Sequence, residues 1–241
     1  MQTCKLSEQK PLMIAHRGLS GLERENTHAA FVAAGNRSYF GIETDVHVTA
    51  DGKYVIIHDD TTTRVTGVEM TVEETDLATL RQLKVLDRGT EEPRGDLCLP
   101  TLEEYIAICK RYDKVAVLEL KNRMPTHCIW EIAGIIDSMG YLEKTVFISF
   151  KLQNLIDLRE KYPEQPAQYL VSKIEDPDAL VETLKRHRLD LDARYSALTE
   201  ELVARVHEEG LKVNVWTVDK PETGVRMMAM GVDFITTNIL E

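Results

Sequence analysis

The chain has 241 residues, a formal net charge of −11 and a pI near 5.2, and we expect residues 1–241 to form one domain with a sizeable core. No block of basic residues is present, which argues against a nucleic acid or an anionic membrane as partner. No stretch approaches the roughly 18 apolar residues of a membrane-spanning helix, and Met1–Lys10 lacks the apolar centre of a signal peptide. The 4 cysteines have no paired spacing, so we predict reduced thiols in a cytoplasmic protein without stable membrane insertion.

Strand and helix patterns alternate from the start of the chain. The first predicted strand is Leu12–Ala15, and the helix after it has Asn26 as its expected N-cap and ends at Gly35. A hairpin comes next. The segment 60–99 is rich in turn formers around the helical pattern Thr71–Leu83, and it is predicted to be a small insertion.

The same alternation continues to residue 236. Thr101 and Glu104 form a capping box that begins one helix, and Asp176 caps another with Pro177 at its first position. The predicted strands are 114–120, 145–149, 167–171, 189–193, 212–218 and 232–236. The predicted helices are 101–112, 126–139, 151–162, 176–187, 199–209 and 221–230.

The segment Gly41–Asp60 predicts two β-runs joined by a tight turn. Asp51 and Gly52 between the runs are typical of a type I′ turn, which needs a positive φ at both central residues. With these two residues at the centre, Asp45 faces His58 across the hairpin, about 5 Å away at Cβ.

The first run also carries a cluster of polar side chains. Because side chains alternate along a strand, Glu43, Asp45 and His47 are expected on one face. With His58 opposite, two acids and one or two imidazoles converge on a small patch. This convergence indicates a functional site.

Without the return arm of the hairpin, the chain has eight predicted strands, most of them followed by a helix. The alternation predicts a parallel sheet, and eight units predict closure into a (β/α)8 TIM barrel. The hairpin arm after strand two and the insertion at 60–99 are additions to it. A doubly wound open sheet is the alternative, but no glycine-rich phosphate-binding motif follows a strand.

Functional side chains in such barrels lie at the carboxyl ends of the strands. Glu43, Asp45 and Glu119 occupy such positions and offer the oxygen ligands that Mg²⁺ or Ca²⁺ prefers. Arg17 and Lys121 add positive charge. This assortment matches phosphoryl transfer, which needs positioning, charge neutralisation and proton transfer.

Each of these residues has a plainer explanation when taken alone. A single histidine such as His16 is more often structural, Glu119 with Lys121 can be an ordinary ion pair, and Trp216 is more often packing. A functional site is favoured because residues of different chemical types, distant in sequence, are all predicted at the carboxyl ends of strands.

Eight motifs then follow one another in an order that spans nearly the whole chain. They are AHRG (15–18), ENTHAAF (25–31), GIETDVHVTADGKYVIIHDDTTTRVTG (41–67), LPTLEE (99–104), LELK (118–121), ISF (148–150), VWTV (215–218) and ITTN (235–238). On these motifs the chain resembles the glycerophosphodiester phosphodiesterases.

The resemblance implies a β/α barrel that uses one divalent cation, Mg²⁺ or Ca²⁺, to hydrolyse a glycerophosphodiester to an alcohol and glycerol 3-phosphate. The family's roles fall on metal ligands Glu43, Asp45 and Glu119, catalytic histidines His16 and His58, and phosphate-binding Arg17 and Lys121. By further resemblance to phosphatidylinositol-specific phospholipase C, His16 is the expected base and His58 the expected acid. Trp216 is expected to wall the alcohol.

The chain departs from the family pattern at three places. Arg24 stands where the family usually has proline, and Asn238 stands where an aspartate is common. The turn Arg64–Gly67 is shorter than usual. None of these changes removes a catalytic residue, but the insertion flanks the mouth, so the range of substrates is left open.

Several alternatives also stay open. The nucleophile is water or the glycerol 2-hydroxyl. Competing functions are a related phosphodiesterase acting on lysophospholipids or other head groups, a lyase that stops at the cyclic phosphate, as in spider-toxin phospholipases D of similar fold, and a non-catalytic phosphate-binding barrel. A small-molecule substrate is the expected partner, and the oligomeric state, a homo-oligomer included, is left open.

Overall fold

A computed structural model describes residues 2–6 and 10–241. Eight of its strands are parallel and close a barrel, because β1 pairs with both β2 and β9. A ninth, β3, runs antiparallel to β2 outside the barrel and forms the predicted hairpin arm. The strands are β1 Leu12–Ala15, β2 Gly41–Val48, β3 Tyr54–Ile56, β4 Val115–Leu120, β5 Thr145–Ser149, β6 Ala167–Val171, β7 Asp190–Arg194, β8 Val213–Trp216 and β9 Phe234–Thr237. The predicted TIM barrel is confirmed.

Helices surround the barrel and connect its strands. They are α1 His28–Gly35, α2 Thr63–Thr66, α3 Leu77–Leu80, α4 Leu102–Tyr112, α5 Thr126–Ser138, α6 Leu152–Lys161, α7 Pro177–His187, α8 Glu200–Glu208 and α9 Pro221–Met230. The capping box at Thr101 and Glu104 and the Asp176 cap of α7 both form as predicted. In the part of the chain that the structure describes, every helix is too short or too polar to cross a lipid bilayer.

Side chains alternate between the two faces of each strand, and the apolar residues therefore form two separate layers. The larger one lies between the strands and the helices, where for example Phe31 of α1 packs edge-on against Tyr105 of α4 at 5.1 Å between ring centroids. A smaller cluster, contributed by alternate residues of the parallel strands, fills the barrel interior: Ile14, Val117, Ile148, Leu170 and Phe234. Residues that follow these by two positions therefore point inward at the carboxyl end of the barrel.

The register of the hairpin differs from the prediction by one residue. Val46 pairs with Ile56, and Ile57 N donates to Asp45 O, so Asp45 does not face His58. The turn has three residues rather than two, because Thr49 N donates to Lys53 O and only Gly52 has a positive φ, of 70°. This is a type I turn closed by a left-handed glycine, which Asp-Gly also favours.

Two predicted helix boundaries were also wrong. Thr27 rather than Asn26 is the N-cap of α1, since its side chain accepts from Ala30 N. The pattern Thr71–Leu83 is not one helix but a 3-10 turn followed by α3, because the Asp76 side chain accepts from Thr79 N and starts a new helix.

The insertion at 60–99 packs around a second apolar cluster, separate from the main core. The outer side of β3 also contributes to this cluster. The cluster comprises Val55, Ile57, Val65, Val72, Leu80, Leu83, Val85, Leu97 and Leu99. Arg24 fastens the insertion to the barrel, because its guanidinium donates to the carbonyl oxygens of Leu86 (2.7 Å) and Asp87 (2.6 Å). This contact gives a physical reason for an arginine where the family usually has proline.

Candidate active site

Three carboxylates meet at the carboxyl end of the barrel. Glu43 and Asp45 point inward from β2, and Glu119 lies beside Asp45 on the neighbouring strand β4. Each offers an oxygen that lies within 4.8 Å of the other two, and all three residues are buried. Such a set of oxygen atoms fits a hard divalent cation.

The acids are held by backbone and amide donors. Arg17 N donates to Glu43 Oε2 at 2.8 Å, and Asn26 Nδ2 donates to Asp45 Oδ2 at 2.8 Å. Asn26 is itself oriented by Thr44, whose hydroxyl donates to Asn26 Oδ1. Asn26 was predicted to be a helix cap, although its place in the motif ENTHAAF was the signal for a role at the site.

Two cations lie against the acids. Lys121 Nζ is 2.9 Å from Glu119 Oε1 and 3.5 Å from Asp45 Oδ1, and Arg17 Nε is 3.6 Å from Asp45 Oδ2. Among residues 2–6 and 10–241, five buried side-chain atoms lack a hydrogen-bond partner, and three of them belong to this site: Arg17 Nε, Asp45 Oδ1 and Asp192 Oδ1. These atoms fit a site that is completed by ligands.

Crowding perturbs the ionisation of the acids. Burial and the charge of Asp45 raise the pKa of Glu43 well above its ordinary value and the pKa of Glu119 to about 8. Burial also opposes ionisation of Asp45, but the positive charges of Arg17 and Lys121 prevail and lower its pKa. All three acids can therefore be ionised together near neutral pH only if further positive charge is added.

The side chain of Asn238 determines which nitrogen of His16 carries hydrogen. Asn238 Nδ2 donates to Asp219 Oδ2 at 2.7 Å, so Asn238 Oδ1 is the atom 2.8 Å from His16 Nδ1. An amide oxygen only accepts, so Nδ1 carries the hydrogen and Nε2 keeps its lone pair. Burial and the charge of Arg17 lower the pKa of His16 to about 4, which favours the neutral ring.

His58 has a carboxylate rather than an amide as its partner. Its Nδ1 lies 2.7 Å from Asp59 Oδ1, and Arg64 Nε donates to the other oxygen of Asp59 at 2.6 Å. Arg64 also donates to Glu25, which in turn binds Arg17 at 2.9 Å. A continuous line of charged pairs thus runs from His58 to Arg17, the residue that follows His16 in sequence.

His47, one of the imidazoles expected at the patch, lies behind the site. It is fully buried, with Nδ1 3.0 Å from Glu73 Oε1 and Nε2 3.4 Å from the carbonyl oxygen of His58. It contacts the backbone of His58 and lines neither cavity described below.

Two cavities meet at His16 and Arg17. The inner cavity, of about 230 Å³, reaches into the barrel and is also lined by Glu43, His58, Glu119, Ile148, Phe150, Leu170, Asp192, Trp216 and Thr236. The outer cavity, of about 380 Å³, is polar and is also lined by Ser20, Gly21, Glu25, Arg88, Asp219, Asn238 and Ile239. Apart from His47, the site residues expected from the sequence line the inner cavity or lie directly beside it. Lys121 binds Glu119 of the cavity lining, and Asp45 lies against Lys121.

Phe150 and Trp216 form one wall of the inner cavity. Their rings meet edge to face, with centroids 5.5 Å apart at 88°. Trp216 Nε1 donates to the carbonyl oxygen of Asp192 at 3.3 Å, which fixes the indole relative to β7. Trp216 was predicted as a site residue from the sequence, whereas Phe150 and Asp192 were not.

A closed (β/α)8 barrel with acids, cations and two histidines at the carboxyl ends of its strands belongs to the class of barrel enzymes that act on phosphate esters. Comparison with known proteins defines the class further. The model of the glycerophosphoryl diester phosphodiesterase family matches residues 16–241. The chain therefore belongs to this family and is a phosphoric diester hydrolase.

Individual relatives agree over nearly the full chain. A glycerophosphodiester phosphodiesterase of Caldanaerobacter subterraneus subsp. tengcongensis is 33% identical over 95% of this chain and 94% of its own length. The crystal structure of a putative glycerophosphoryl diester phosphodiesterase from Silicibacter pomeroyi has a TM-score of 0.87 at 26% identity, covering 97% of this chain and 92% of its own. A phosphodiesterase of Oleispira antarctica, in complex with the product sn-glycerol-3-phosphate, also has a TM-score of 0.87, at 29% identity over 95% of this chain and 93% of its own.

Proposed function

We propose that the protein hydrolyses glycerophosphodiesters to an alcohol and sn-glycerol 3-phosphate, with a divalent cation and the pair His16 and His58. The observation that carries the proposal is the meeting of Glu43, Asp45 and Glu119 at a cavity that His16 and His58 also line. The product bound to the Oleispira antarctica relative supports the substrate class.

The three acids would hold the cation, Mg²⁺ or Ca²⁺. Its positive charge would allow Glu43 and Glu119, whose pKa values are raised, to ionise beside Asp45. It would also neutralise the negative charge of the phosphodiester. Arg17, whose buried Nε has no partner, would donate to a phosphate oxygen. Lys121 would add a second positive charge.

The hydrogen bonds of the two histidines support different roles. His16 has a neutral amide partner and a free Nε2, which suits a base that takes a proton from the attacking oxygen. Burial lowers the pKa of His58, but the carboxylate of Asp59 opposes this by stabilising the protonated ring, which suits an acid that protonates the leaving alkoxide. Trp216 would pack against one alcohol arm of the substrate.

A turnover assay on glycerophosphoethanolamine tests the function. The protein is treated with EDTA, dialysed, and assayed with and without Mg²⁺ or Ca²⁺, and the products are followed by phosphorus NMR. We expect glycerol 3-phosphate to form only with a cation. Full activity after exhaustive chelation would refute the metal role, and accumulation of a cyclic phosphate would indicate a lyase.

Matched variants separate the site from the rest of the fold. Glu119→Gln removes one ligand and should abolish turnover, whereas Glu103→Gln, in the exposed first turn of α4, should leave turnover unchanged. A cytoplasmic location and an organisation as one domain remain predictions.

A further inference from the structure

Asp192 is a buried acid to which the mechanism above gives no task. It points into the barrel from β7, is 2% exposed and lines the inner cavity. Its Oδ1 has no hydrogen-bond partner. Because the interiors of such barrels are normally filled with branched apolar side chains, an acid here calls for an explanation.

The polar residues around Asp192 bind one another. Asn214 Nδ2 donates to Gln168 Oε1 at 3.1 Å, and the Thr236 hydroxyl donates to Asn214 Oδ1 at 3.2 Å. Asp192 is next to Asn214 on the adjacent strand, yet its Oδ1 stays outside this network. A buried polar atom without a partner destabilises the folded state, so a ligand is the natural partner.

The surroundings of Asp192 indicate the chemistry of that ligand. Trp216 and Phe150 offer aromatic surface on one side, and the Asp192 carbonyl holds the Trp216 indole in place. Thr236 lines the same cavity. Aromatic wall and isolated polar atoms together suit a short carbon chain that carries hydroxyl groups.

The two cavities accommodate the two arms of a phosphodiester. They share His16 and Arg17, and Arg17 is the residue proposed above to bind the phosphate. The outer cavity is polar and bordered by the exposed Arg88, whereas the inner one is narrower and enclosed by the barrel. The arm that all glycerophosphodiesters have in common, glycerol, therefore suits the inner cavity, and the variable head group suits the outer one.

We propose that Asp192 determines specificity by forming a hydrogen bond to a hydroxyl group of the glycerol arm in the inner cavity. The proposal rests on the proposed function, since it assigns one arm of that substrate. A hydroxyl group is favoured over an ammonium group because the glycerol arm, and not the head group, is the arm that suits the inner cavity, which Asp192 lines.

The test compares substrates that differ by one hydroxyl group. Glycerophosphocholine is assayed beside 3-hydroxypropyl and 2-hydroxypropyl phosphocholine, each of which lacks one glycerol hydroxyl. We expect the unmodified protein to prefer glycerophosphocholine in kcat/KM by roughly tenfold or more over one of the two analogues. In Asp192→Asn and Asp192→Leu this preference should fall toward one, chiefly through loss of rate on glycerophosphocholine.

A stability measurement adds a readout that a structural role would not give. Asp192→Leu should raise the melting temperature of the ligand-free protein, because it removes an unpartnered buried oxygen. Asp190→Asn, two residues earlier on β7 at the opposite end of the barrel, is the control and should keep the substrate preference. An unchanged preference in Asp192→Asn would overturn the proposal even if Asp192→Leu failed to fold.

Two further arms separate the possible failures. If Asp192→Asn lowers kcat/KM on glycerophosphocholine but not on glycerophosphoglycerol, Asp192 binds the ammonium group. This result would overturn the proposal. If the unmodified protein turns over none of these diesters, the proposed function fails. Calorimetric binding of glycerol 3-phosphate and 3-hydroxypropyl and 2-hydroxypropyl phosphate then still decides whether Asp192 recognises a hydroxyl group.

Discussion

The two histidines illustrate how a partner atom sets the role of a side chain. His16 faces an amide oxygen that is held in place by Asp219, and His58 faces the carboxylate of Asp59. Burial lowers the pKa of both rings, but only His58 has a carboxylate in hydrogen-bond contact that opposes this lowering. The difference gives two otherwise similar imidazoles unequal tendencies to hold a proton.

Substitution of each histidine should therefore affect two substrates differently. A glycerophosphodiester expels an alkoxide that needs a proton, whereas bis(nitrophenyl) phosphate expels a phenolate that needs little help. We expect His58→Ala to lower kcat/KM on the natural diester by roughly 10² or more while sparing much of the aryl rate, and His16→Ala to lower both.

The control for this experiment is His207→Ala. His207 also binds a carboxylate, Asp233, but at the opposite end of the barrel, so both rates should stay unchanged. Equal losses on the two substrates in His58→Ala would refute its role as acid, and the reversed pattern would exchange the two assignments.

At the scale of elements, the hairpin and the insertion decide how the site is supported. The hairpin was predicted from its turn signal, but Asp-Gly is compatible with both a two-residue and a three-residue loop, so the register could not be read from it. His58 reaches the cavity nevertheless, because β3 ends at Ile56 and the chain then turns toward the barrel mouth. Long-range partners such as Asn26 for Asp45 leave no periodic signal in the sequence.

Gly52 should be the residue on which the observed turn depends. Its φ is 70°, and a Cβ at this position would meet nothing within 4 Å, so the cost of Gly52→Ala is that of the backbone alone. We expect the free energy of unfolding in urea to fall by about 1 kcal/mol. Gly95→Ala, at an equally open position without positive φ, is the control, and an equal loss there would contradict this explanation.

Arg64 of α2 should confer stability that depends on pH. Burial alone would raise the pKa of Glu25, but hydrogen bonds from Arg64 and the charges of Arg17 and Arg64 prevail and lower it from 4.5 to about 2. Because the pKa is lower in the folded state, this stabilisation is complete above pH 4.5 and is lost as the pH falls toward 2.

The variant Arg64→Met tests this pH dependence. At pH 7 it should reduce the free energy of unfolding by up to about 1 kcal/mol, since Arg64 is partly exposed, and the difference from the unmodified protein should shrink below pH 4.5. Arg186→Met breaks only an exposed pair on α7 and should have no measurable effect at any pH. A deficit that grows as the pH falls would contradict the ion-pair explanation.

For the whole molecule, the barrel was predictable because strand and helix signals alternate and strand ends carry polar residues. The residues predicted for the site meet because inward-facing positions at those ends converge when the barrel closes. The polar layer around Asp192 and Asn214 could not be foreseen, since a single acid or amide within a short strand has no distinguishing pattern. Its members become neighbours only through the strand register.

Cation binding should stabilise the assembled barrel as a whole. The proposed ligands come from β2 and β4, so the unfolded chain offers no equivalent site. A cation at 100 times its Kd should therefore raise the melting temperature by roughly 5 to 10 °C. Glu119→Gln should lose this gain, because it removes one of the three proposed carboxylate ligands. Glu182→Gln, exposed on α7, should keep the gain, and an undiminished gain in Glu119→Gln would contradict the assignment.

The contact between His16 and Asn238 joins residues 222 positions apart and lies at the seam where β1 and β9 close the barrel. During translation at about 5–20 residues per second, His16 waits on the order of ten to forty seconds for this partner. All three acids of the cluster have been made once Glu119 is added, long before Asn238, the residue that orients His16. A nascent chain therefore contains its proposed cation ligands early, but it gains the contact that orients His16 only when β9 pairs with β1.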